Sequence, residues 1–237
     1  MPTTDLVRRL AAEPARTALL LDVDGTLAPI VARPEDAAVP AATRAELERL
    51  LGRYALVACV SGRPAEDAAR VVGVPGLRYV GEHGLELDPA AGEWAAAIAS
   101  FADSVAWPAE RKPLTVSFHY RTAPDREEAE RVLGDVAEQA RAQGLVPRWG
   151  RMVLEIRPPL ETDKGTAVRA LLSAQRLRRA LYAGDDTTDL DAFRALDGLE
   201  LGVRVAVVTP EAPVLLRGAA AVVVGGPAEL LELLRRL

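Results

Sequence analysis

Cysteine is almost absent from this sequence, which excludes one common way of stabilising a chain. The single cysteine, Cys59, lies in an apolar run and cannot form a disulfide within the chain, so we expect it to be a buried core residue. Stability must come from a hydrophobic core instead. With 49% hydrophobic residues among 237, the chain can form a substantial one, in one large domain or two modest ones.

Basic tracts are also missing, and the formal net charge is -5. A mildly acidic chain is a poor candidate for holding nucleic acid through phosphate contacts, so we expect no nucleic-acid partner. The acidity does not exclude a small anionic substrate, because a local cation or a bound metal can dominate the charge of a site.

Long apolar runs are absent as well. The most apolar N-terminal stretch, 17–32, is interrupted by Asp22 and Asp24 and falls short of the roughly 20 apolar residues that a membrane span needs. No uninterrupted signal-peptide core precedes these residues. We therefore expect no membrane partner and a soluble, cytoplasmic protein.

The chain has no internal repeat, and it alternates apolar strands with amphipathic helices. Strands are predicted at 18–23, 55–60, 77–80, 180–183, 203–208 and 220–224. Helices are predicted at 41–51, 64–72, 165–172, 190–196 and 227–237. Strands that are apolar throughout suit a sheet covered on both faces, so the pattern predicts a mainly parallel α/β sheet.

The middle of the chain departs from this alternation. Segments 114–120 and 153–157 mix apolar and polar residues, as strands with one exposed face do, and a long charged helix is predicted at 126–143. We therefore expect an inserted α+β domain. The predicted domains are a core of 1–87 with 159–237 and an insertion of 88–158.

Two carboxylates follow the first strand, in the segment 20–26, Leu-Leu-Asp-Val-Asp-Gly-Thr. Ligands of an open parallel sheet bind at the carboxyl ends of its strands. The spacing of Asp22 and Asp24 puts both side chains on one side of an extended chain, where like charges need a cation or a proton. A lone turn or capping aspartate is the structural alternative, but the full segment at a strand end favours a catalytic role.

Two further segments could bind a phosphate. Ser61, in Val-Ser-Gly-Arg-Pro, follows the second strand, and its hydroxyl could either cap the next helix or hydrogen-bond a phosphate oxygen. Lys164 begins a later helix, where a cation is electrostatically disfavoured unless an anion lies nearby. Ser61 and Lys164 are about 100 residues apart, far more than one crossover needs, which again predicts an insertion.

Three carboxylates follow another apolar strand, in the segment 184–189, Gly-Asp-Asp-Thr-Thr-Asp. Such a group beside a sheet edge is costly without a cation, and Mg²⁺ prefers hard oxygen ligands of this kind. The sequence therefore predicts a magnesium site.

Together and in this order, the four segments resemble the motifs of the haloacid dehalogenase superfamily. The resemblance implies a Rossmann-like parallel-sheet core with an inserted α+β cap domain, and Mg²⁺ as cofactor. It implies Asp22 as nucleophile, Asp24 as general acid and base, and Ser61 and Lys164 as holders of the phosphoryl group. The metal ligands it implies are Asp22, Asp185 and Asp24 through its backbone carbonyl. Asp189 is a further candidate ligand, and whether Asp186 or Asp189 binds the metal directly stays open at this point.

Longer segments resemble the trehalose-6-phosphate phosphatase family, over about 17–225. They are Gly-Glu-His-Gly-Leu-Glu at 81–86, Ser-Phe-His-Tyr-Arg at 117–121 and Met-Val-Leu-Glu-Ile-Arg-Pro at 152–158. The resemblance implies hydrolysis of trehalose 6-phosphate to trehalose and phosphate through an aspartyl-phosphate intermediate. Leu190 departs from the family, which commonly has an acidic residue there, but this removes no catalytic group.

Sugar recognition needs polar groups that bind hydroxyls. Our candidate substrate-binding residues are Gly62, Arg63, Glu82, His83, Lys112, His119, Arg121, Glu155 and Arg157. Structural alternatives exist for several: Glu155 and Arg157 share a strand face and could pair with each other, and Arg121 could be a surface charge.

Other functions stay open at this point. The substrate could be sucrose phosphate, mannosyl-phosphoglycerate or a hexose phosphate. The chain could instead be a catalytically silent sugar-phosphate-binding module, or a structural partner of a trehalose-phosphate synthase.

Overall fold

The computed structural model describes residues 3–31, 33–150, 152–209 and 212–237, which form two compact units. Unit 1 comprises residues 1–84 and 162–237, and unit 2 comprises residues 85–161. The predicted insertion, 88–158, lies within unit 2. Unit 1 is therefore built from two separate stretches of chain.

The strands are β1 (Thr17–Leu21), β2 (Leu56–Val60), β3 (Arg78–Val80), β4 (Ala109–Arg111), β5 (Val116–His119), β6 (Val146–Gly150), β7 (Val153–Arg157), β8 (Arg179–Gly184), β9 (Leu201–Val207) and β10 (Val222–Val224). The α-helices are α1 (Thr3–Ala12), α2 (Ala41–Leu51), α3 (Ala65–Val72), α4 (Ala95–Ser104), α5 (Arg126–Ala142), α6 (Lys164–Ala174), α7 (Asp189–Arg194), α8 (Val214–Ala219) and α9 (Pro227–Leu234). Short 3₁₀ turns connect several of them.

Unit 1 contains a six-stranded sheet in the order β10-β9-β8-β1-β2-β3, and every neighbouring pair is parallel. All residues of β1, β2 and β8 are buried, in keeping with sequences that are apolar except for Thr17 and Arg179 at the first positions of β1 and β8. In the register, Leu21 lies opposite Cys59 on one side and Ala183 on the other. The segments after these three strands therefore start at the same edge of the sheet.

Unit 2 contains a four-stranded antiparallel sheet in the order β4-β5-β7-β6. Its apolar side chains alternate with polar ones: Val116 and Phe118 enter a core with residues of α4 and α5, and Ser117 projects from the opposite face. Asp125 caps α5 by accepting a hydrogen bond from the Glu128 amide at 3.0 Å.

The predicted fold class is confirmed: a parallel-sheet α/β core accompanies a separate α+β unit. Helices α1, α4 and α8 and edge strands β4 and β6 were not predicted. Strand β4 is only three residues long and β6 contains a proline and has no buried residue, so neither has a strong strand pattern. Among the described helices, none has the length and apolar character needed to cross a bilayer.

Candidate active site

The chain after β1 places a carboxylate inside the protein. Asp22 is 5% exposed, and its amide donates a hydrogen bond of 2.9 Å to the Ala183 carbonyl, which extends the sheet by one residue. Gly25 follows with a φ of 79°, and a Cβ there would lie 2.1 Å from an Asp185 carboxylate oxygen. Only glycine therefore lets this turn approach Asp185.

Three buried aspartates meet at this edge of the sheet. One carboxylate oxygen from each of Asp22, Asp185 and Asp189 lies within 4.8 Å of the others. We call these three residues the aspartate cluster. The two from the segment after β8 are buried as deeply as Asp22, so the predicted group of acidic residues does assemble.

Lys164 supplies a positive charge beside the cluster. Its Nζ lies 2.8 Å from Oδ1 of Asp22 and 2.8 Å from Oδ1 of Asp189, and the side chain is 3% exposed. Helix α6 begins at this residue with a capping box formed by Asp163 and Thr166, which satisfies the helix end without the lysine. Burial lowers the pKa of Lys164, but Asp189 and Asp22 outweigh burial and raise it above the ordinary lysine value.

The cluster holds more negative charge than Lys164 can balance. Burial raises the pKa of Asp22 to about 7, with the attraction of Lys164 opposing the rise. Burial, and then the charges of Asp22 and Asp189, raise the pKa of Asp185 to about 9. Three buried carboxyl groups this close together, two of them with raised pKa values, are a donor set that suits a hard divalent cation such as Mg²⁺.

Asp189 is the most constrained member of the cluster. Its Oδ1 accepts hydrogen bonds from Lys164 Nζ and the Tyr182 hydroxyl, and its Oδ2 accepts from the amides of Asp185 and Asp186. A carboxylate has about four acceptor positions, so these four donors occupy them all. Asp186, the other carboxylate considered as a ligand, is not a member of the cluster.

Sequence reasoning missed Tyr182. It lies in β8 and is fully buried, and burial, with Asp189 next, raises the pKa of its hydroxyl well above the ordinary value, so the group stays protonated and donates. The available signal was a tyrosine among the small and aliphatic residues of the predicted strand 180–183, since a buried phenol needs a hydrogen-bond partner.

Ser61 follows β2 at the same edge and is 1% exposed. Its Oγ accepts a hydrogen bond of 3.1 Å from the Arg63 amide. Helix α3 begins at Ala65 after Pro64, with no side-chain cap. Ser61 therefore does not cap α3, which was one of its two predicted roles. Because Oγ only accepts in its bond with Arg63, the hydroxyl can still donate a hydrogen bond to another group.

Arg63, predicted to bind substrate, contacts protein carboxylates in this structure. Its Nε and Nη2 donate to the two oxygens of Asp24 at 2.7 and 2.8 Å, and its Nη1 donates to Asp67 at 2.6 Å. The carboxylate of Asp24 is thus paired with Arg63, and Asp24 is not a member of the aspartate cluster.

The segment after β3 holds two further candidates, Glu82 and His83. Glu82 is fully buried, and Glu82 and His83 have φ values of 46° and 56°, which non-glycine residues seldom adopt. The amides of these two residues bond to the carbonyls of Arg63 and Ser61 at 2.9 Å. A Cβ on Gly62 would lie 2.7 Å from Nε2 of His83, so the imidazole lies directly against Gly62.

The candidates in unit 2 lie on or beside the polar face of its sheet. Lys112 Nζ is 3.2 Å from Glu155 Oε1, and Arg157 Nε is 3.9 Å from Glu155 Oε2. Glu155 and Arg157 therefore pair with each other, as the structural alternative predicted. Their separation of 3.9 Å is long for an ion pair. All three side chains are largely buried.

His119 and Arg121 differ from that group in exposure. His119 Nε2 lies 2.6 Å from Oε2 of Glu110, a residue of the same face that sequence reasoning did not select. Both His119 and Glu110 are partly exposed to solvent. Arg121 is exposed in a turn, in agreement with the alternative prediction that it is a surface charge.

Comparison with known proteins identifies the family. The trehalose-phosphatase family model matches residues 20–107 and 108–214. A trehalose-phosphate phosphatase of Mycobacterium avium (strain 104) is 38% identical over 210 residues, which are 76% of this chain and 51% of that protein. The chain spans about half the length of the first curated relatives it matches.

Two solved structures share the fold. The C-terminal domain of Candida albicans trehalose-6-phosphate phosphatase superposes with a TM-score of 0.77 at 22% identity, covering 98% of this chain and 95% of that one. The C-terminal domain of the Candida albicans trehalose synthase regulatory protein superposes with a TM-score of 0.69 at 15% identity, covering 98% of each chain. The family match over most of the sequence confirms the resemblance found in its motifs, and the chain belongs to the trehalose-phosphatase family.

Proposed function

We propose that this protein is a Mg²⁺-dependent phosphatase that hydrolyses trehalose 6-phosphate to trehalose and phosphate through an aspartyl-phosphate on Asp22. The observation that carries the proposal is the contact of 2.8 Å between Lys164 Nζ and Asp22 within the aspartate cluster. A buried carboxylate beside a buried ammonium can attack a phosphoryl group while the ammonium offsets charge on its oxygens. Membership of the trehalose-phosphatase family supports the substrate.

The metal would be held by Asp22, Asp185 and the backbone carbonyl of Asp24. When bound, Mg²⁺ would neutralise charge on the cluster and on the phosphoryl oxygens. Asp189 is the remaining candidate ligand. Because its acceptor positions are occupied by four donors, we propose that it orients Lys164 and the segment after β8, and that it does not bind the metal directly.

In the first half of the reaction, an oxygen of Asp22 attacks phosphorus and the bond from phosphorus to the sugar oxygen breaks. Asp24 gives its proton to the departing sugar oxygen. In the second half, Asp24 takes a proton from water, the water oxygen bonds to phosphorus, and the bond from phosphorus to Asp22 breaks. Each oxygen of Asp24 accepts one hydrogen bond from Arg63, which leaves a second lone pair on each for these proton transfers.

Ser61 and Lys164 would hold the phosphoryl oxygens through a hydroxyl and an ammonium. Gly62 and His83, which lie against each other, and Glu82 and Arg63 beside them are proposed to line the phosphate end of the substrate. For Arg63 the role is indirect, because its guanidinium is engaged with Asp24 and Asp67.

We propose that unit 2 determines substrate specificity. Its polar face carries buried charged groups, and such groups recognise hydroxyls well because leaving them unpaired is costly. The proposed sugar-binding residues are Lys112, His119, Arg121, Glu155 and Arg157. Glu110, which contacts His119, joins this set.

A second candidate is a non-catalytic module that binds sugar phosphate and associates with a trehalose-phosphate synthase. The fold shared with the domain of a trehalose synthase regulatory protein favours it. Against it stand Asp22, Lys164 and the rest of the cluster, which a silent module would not need in this arrangement.

Phosphate release with Mg²⁺ tests the proposal, using trehalose 6-phosphate, sucrose 6-phosphate, glucose 6-phosphate and mannosyl-phosphoglycerate as substrates. A strong preference for trehalose 6-phosphate that EDTA abolishes is the expected result. Equal or higher activity on another sugar phosphate would support the phosphatase mechanism but contradict trehalose 6-phosphate as the substrate. No release from any of the four would favour the non-catalytic module.

A further inference from the structure

One buried polar group next to the aspartate cluster has no part in the reaction described above. The hydroxyl of Tyr182 donates a hydrogen bond of 2.7 Å to Oδ1 of Asp189. Its ring packs edge-on against Phe193, with ring centroids 6.1 Å apart and planes at 82°. The ring is thus held by packing, and the hydroxyl is aimed at a charged carboxylate in the protein interior.

The oxygen that accepts this hydrogen bond also accepts one from Lys164 at 2.8 Å. Lys164 is in turn 2.8 Å from Asp22, so two carboxylates share one ammonium. How strongly Asp189 attracts the ammonium depends on how much of its own charge is satisfied by other donors. The Tyr182 hydroxyl is the one side-chain donor besides Lys164 that the described residues direct at this oxygen.

We propose that Tyr182 is a positioning residue of the reaction, whose hydroxyl offsets the charge of Asp189 and so keeps Lys164 available to Asp22 and the phosphoryl group. The inference rests on the proposed function. Without the hydroxyl, Lys164 would be the only side-chain donor to Oδ1 of Asp189 among the described residues. Charge-assisted hydrogen bonds are about twice as strong as neutral ones, so the ammonium would be drawn toward Asp189 and away from Asp22.

The test is Tyr182→Phe, which removes the hydroxyl and keeps the ring against Phe193. Its matched control is Tyr54→Phe, because Tyr54 is also buried and donates its hydroxyl to the backbone carbonyl of Leu237 at 3.1 Å. For both variants and the natural protein, we would measure kcat and KM on trehalose 6-phosphate. Calorimetry would give the affinity for Mg²⁺ and, in the presence of Mg²⁺, the affinity for inorganic phosphate.

For Tyr182→Phe we expect kcat to fall by about tenfold or more, the size of one charge-assisted hydrogen bond. The affinity for inorganic phosphate should weaken, while the affinity for Mg²⁺ stays within about threefold, because the hydroxyl contacts no proposed metal ligand. Tyr54→Phe should change none of these values. The melting temperatures of the two variants should fall by similar amounts, since each loses one buried hydrogen bond.

A double-mutant cycle with Asp189→Asn tests whether Tyr182 influences phosphate binding through Asp189. If Tyr182 acts through Asp189, Tyr182→Phe should weaken phosphate binding far less in the Asp189→Asn background than in the natural one. Equal effects in both backgrounds would overturn the assignment.

The remaining outcomes separate the two proposals. If the natural protein is active and Tyr182→Phe matches Tyr54→Phe in kcat and phosphate affinity, or alone fails to fold, Tyr182 is structural and this inference is wrong. If no sugar phosphate is hydrolysed but Tyr182→Phe still weakens phosphate binding, the proposed function is wrong and the positioning role stands. If the natural protein neither binds phosphate nor releases it, both are wrong.

Discussion

The two sheets of this protein carry their charged groups in different places. In unit 1 the charges lie beyond the ends of parallel strands, where Asp22, Asp189 and Lys164 are buried and in contact with one another. In unit 2 they lie across one face of an antiparallel sheet, where Glu155 is flanked by Lys112 and Arg157.

This difference follows from strand geometry. Parallel strands end at one edge, so the segments after them bring several short carboxylates together at a point. An antiparallel sheet with one polar face spreads its side chains over a surface, with alternate residues facing the same way. The first arrangement suits a reaction centre and the second suits recognition of a substrate with many hydroxyls. Substitutions in the aspartate cluster of unit 1 should therefore slow the hydrolysis of every phosphate ester. Substitutions on the polar face of unit 2 should slow only the hydrolysis of the sugar phosphate.

The largest expected effect is that of Asp22→Asn. Because the amide cannot act as the nucleophile, turnover should fall by about 10³-fold or more on both trehalose 6-phosphate and p-nitrophenyl phosphate, an ester without a sugar. The control is Asp135→Asn, at an exposed position of α5. Phosphate release close to that of the natural protein would remove Asp22 from the role of nucleophile.

The next effect is that of the metal, and it should depend on pH. The pKa of Asp185 is raised to about 9, so the metal-free native state binds a proton more tightly than the unfolded chain does. That contribution to stability is complete below the ordinary aspartate pKa of about 4 and is lost as the pH rises through about 9. Mg²⁺ bound at the proposed site would replace the proton, and it should therefore stabilise the protein more as the pH rises.

We expect saturating Mg²⁺ to raise the melting temperature by about 5 °C or more near pH 9, and by clearly less near pH 6. Thermal unfolding with Mg²⁺ and with EDTA measures this difference. Asp185→Asn is the matched variant, since it removes the titrating group, and it should abolish both the stabilisation and its pH dependence. If Mg²⁺ stabilised the protein equally at both pH values, the pH dependence could not be assigned to the proton on Asp185.

Glu155→Gln should produce a smaller effect that is confined to the sugar substrate. It keeps the shape of the side chain but weakens its contacts with Lys112 and Arg157, so kcat/KM for trehalose 6-phosphate should fall by about 10- to 100-fold. Hydrolysis of p-nitrophenyl phosphate should not change. Glu127→Gln, at an exposed site in the first turn of α5, is the control. A parallel loss on both esters would show that the division of roles between the units is wrong.

The smallest effect should come from Asp125→Ala, which removes the cap of α5. Loss of a capping side chain costs about 1 kcal/mol of stability. Because α5 packs in the core of unit 2, hydrogen exchange should speed up in that helix. Asp135→Ala within the same helix serves as control. Turnover of p-nitrophenyl phosphate should stay at the natural level, and any marked loss would mean that unit 2 contributes to the chemistry itself.

Much of unit 1 could be predicted because its elements have strong local patterns. Strand β1 and helix α2 lie where the apolar runs and the helical spacing put them, and α2 has the predicted bounds. The carboxylates at the strand ends were found from their position after apolar strands. Position along the chain was enough in these cases because all strands of a parallel sheet present their ends at one edge.

The partners of individual side chains could not be predicted in the same way. Arg63 binds Asp24 across 39 residues of sequence, and no local pattern signals that choice over a substrate phosphate. The saturation of Asp189 depends on Tyr182 and on two backbone amides, whose directions only the folded turn defines. Periodicity identifies which face a residue occupies, and the choice of hydrogen-bond partner depends on distances of a few tenths of an ångström.

The central strand pair of unit 1 joins the two stretches of chain that unit 2 separates. Strand β1 pairs with β2 on one side and with β8 on the other, and β8 is made only after all of residues 85–161. At about 5–20 residues per second, a growing chain would carry β1 with one edge unpaired for on the order of ten seconds. Lys164 and Asp189 arrive in that same late stretch, so a ribosome that stalls within unit 2 leaves a polypeptide that has Asp22 but lacks the ammonium that lies beside it in the folded protein. The order of the strands alone therefore delays assembly of the aspartate cluster until synthesis has passed residue 189.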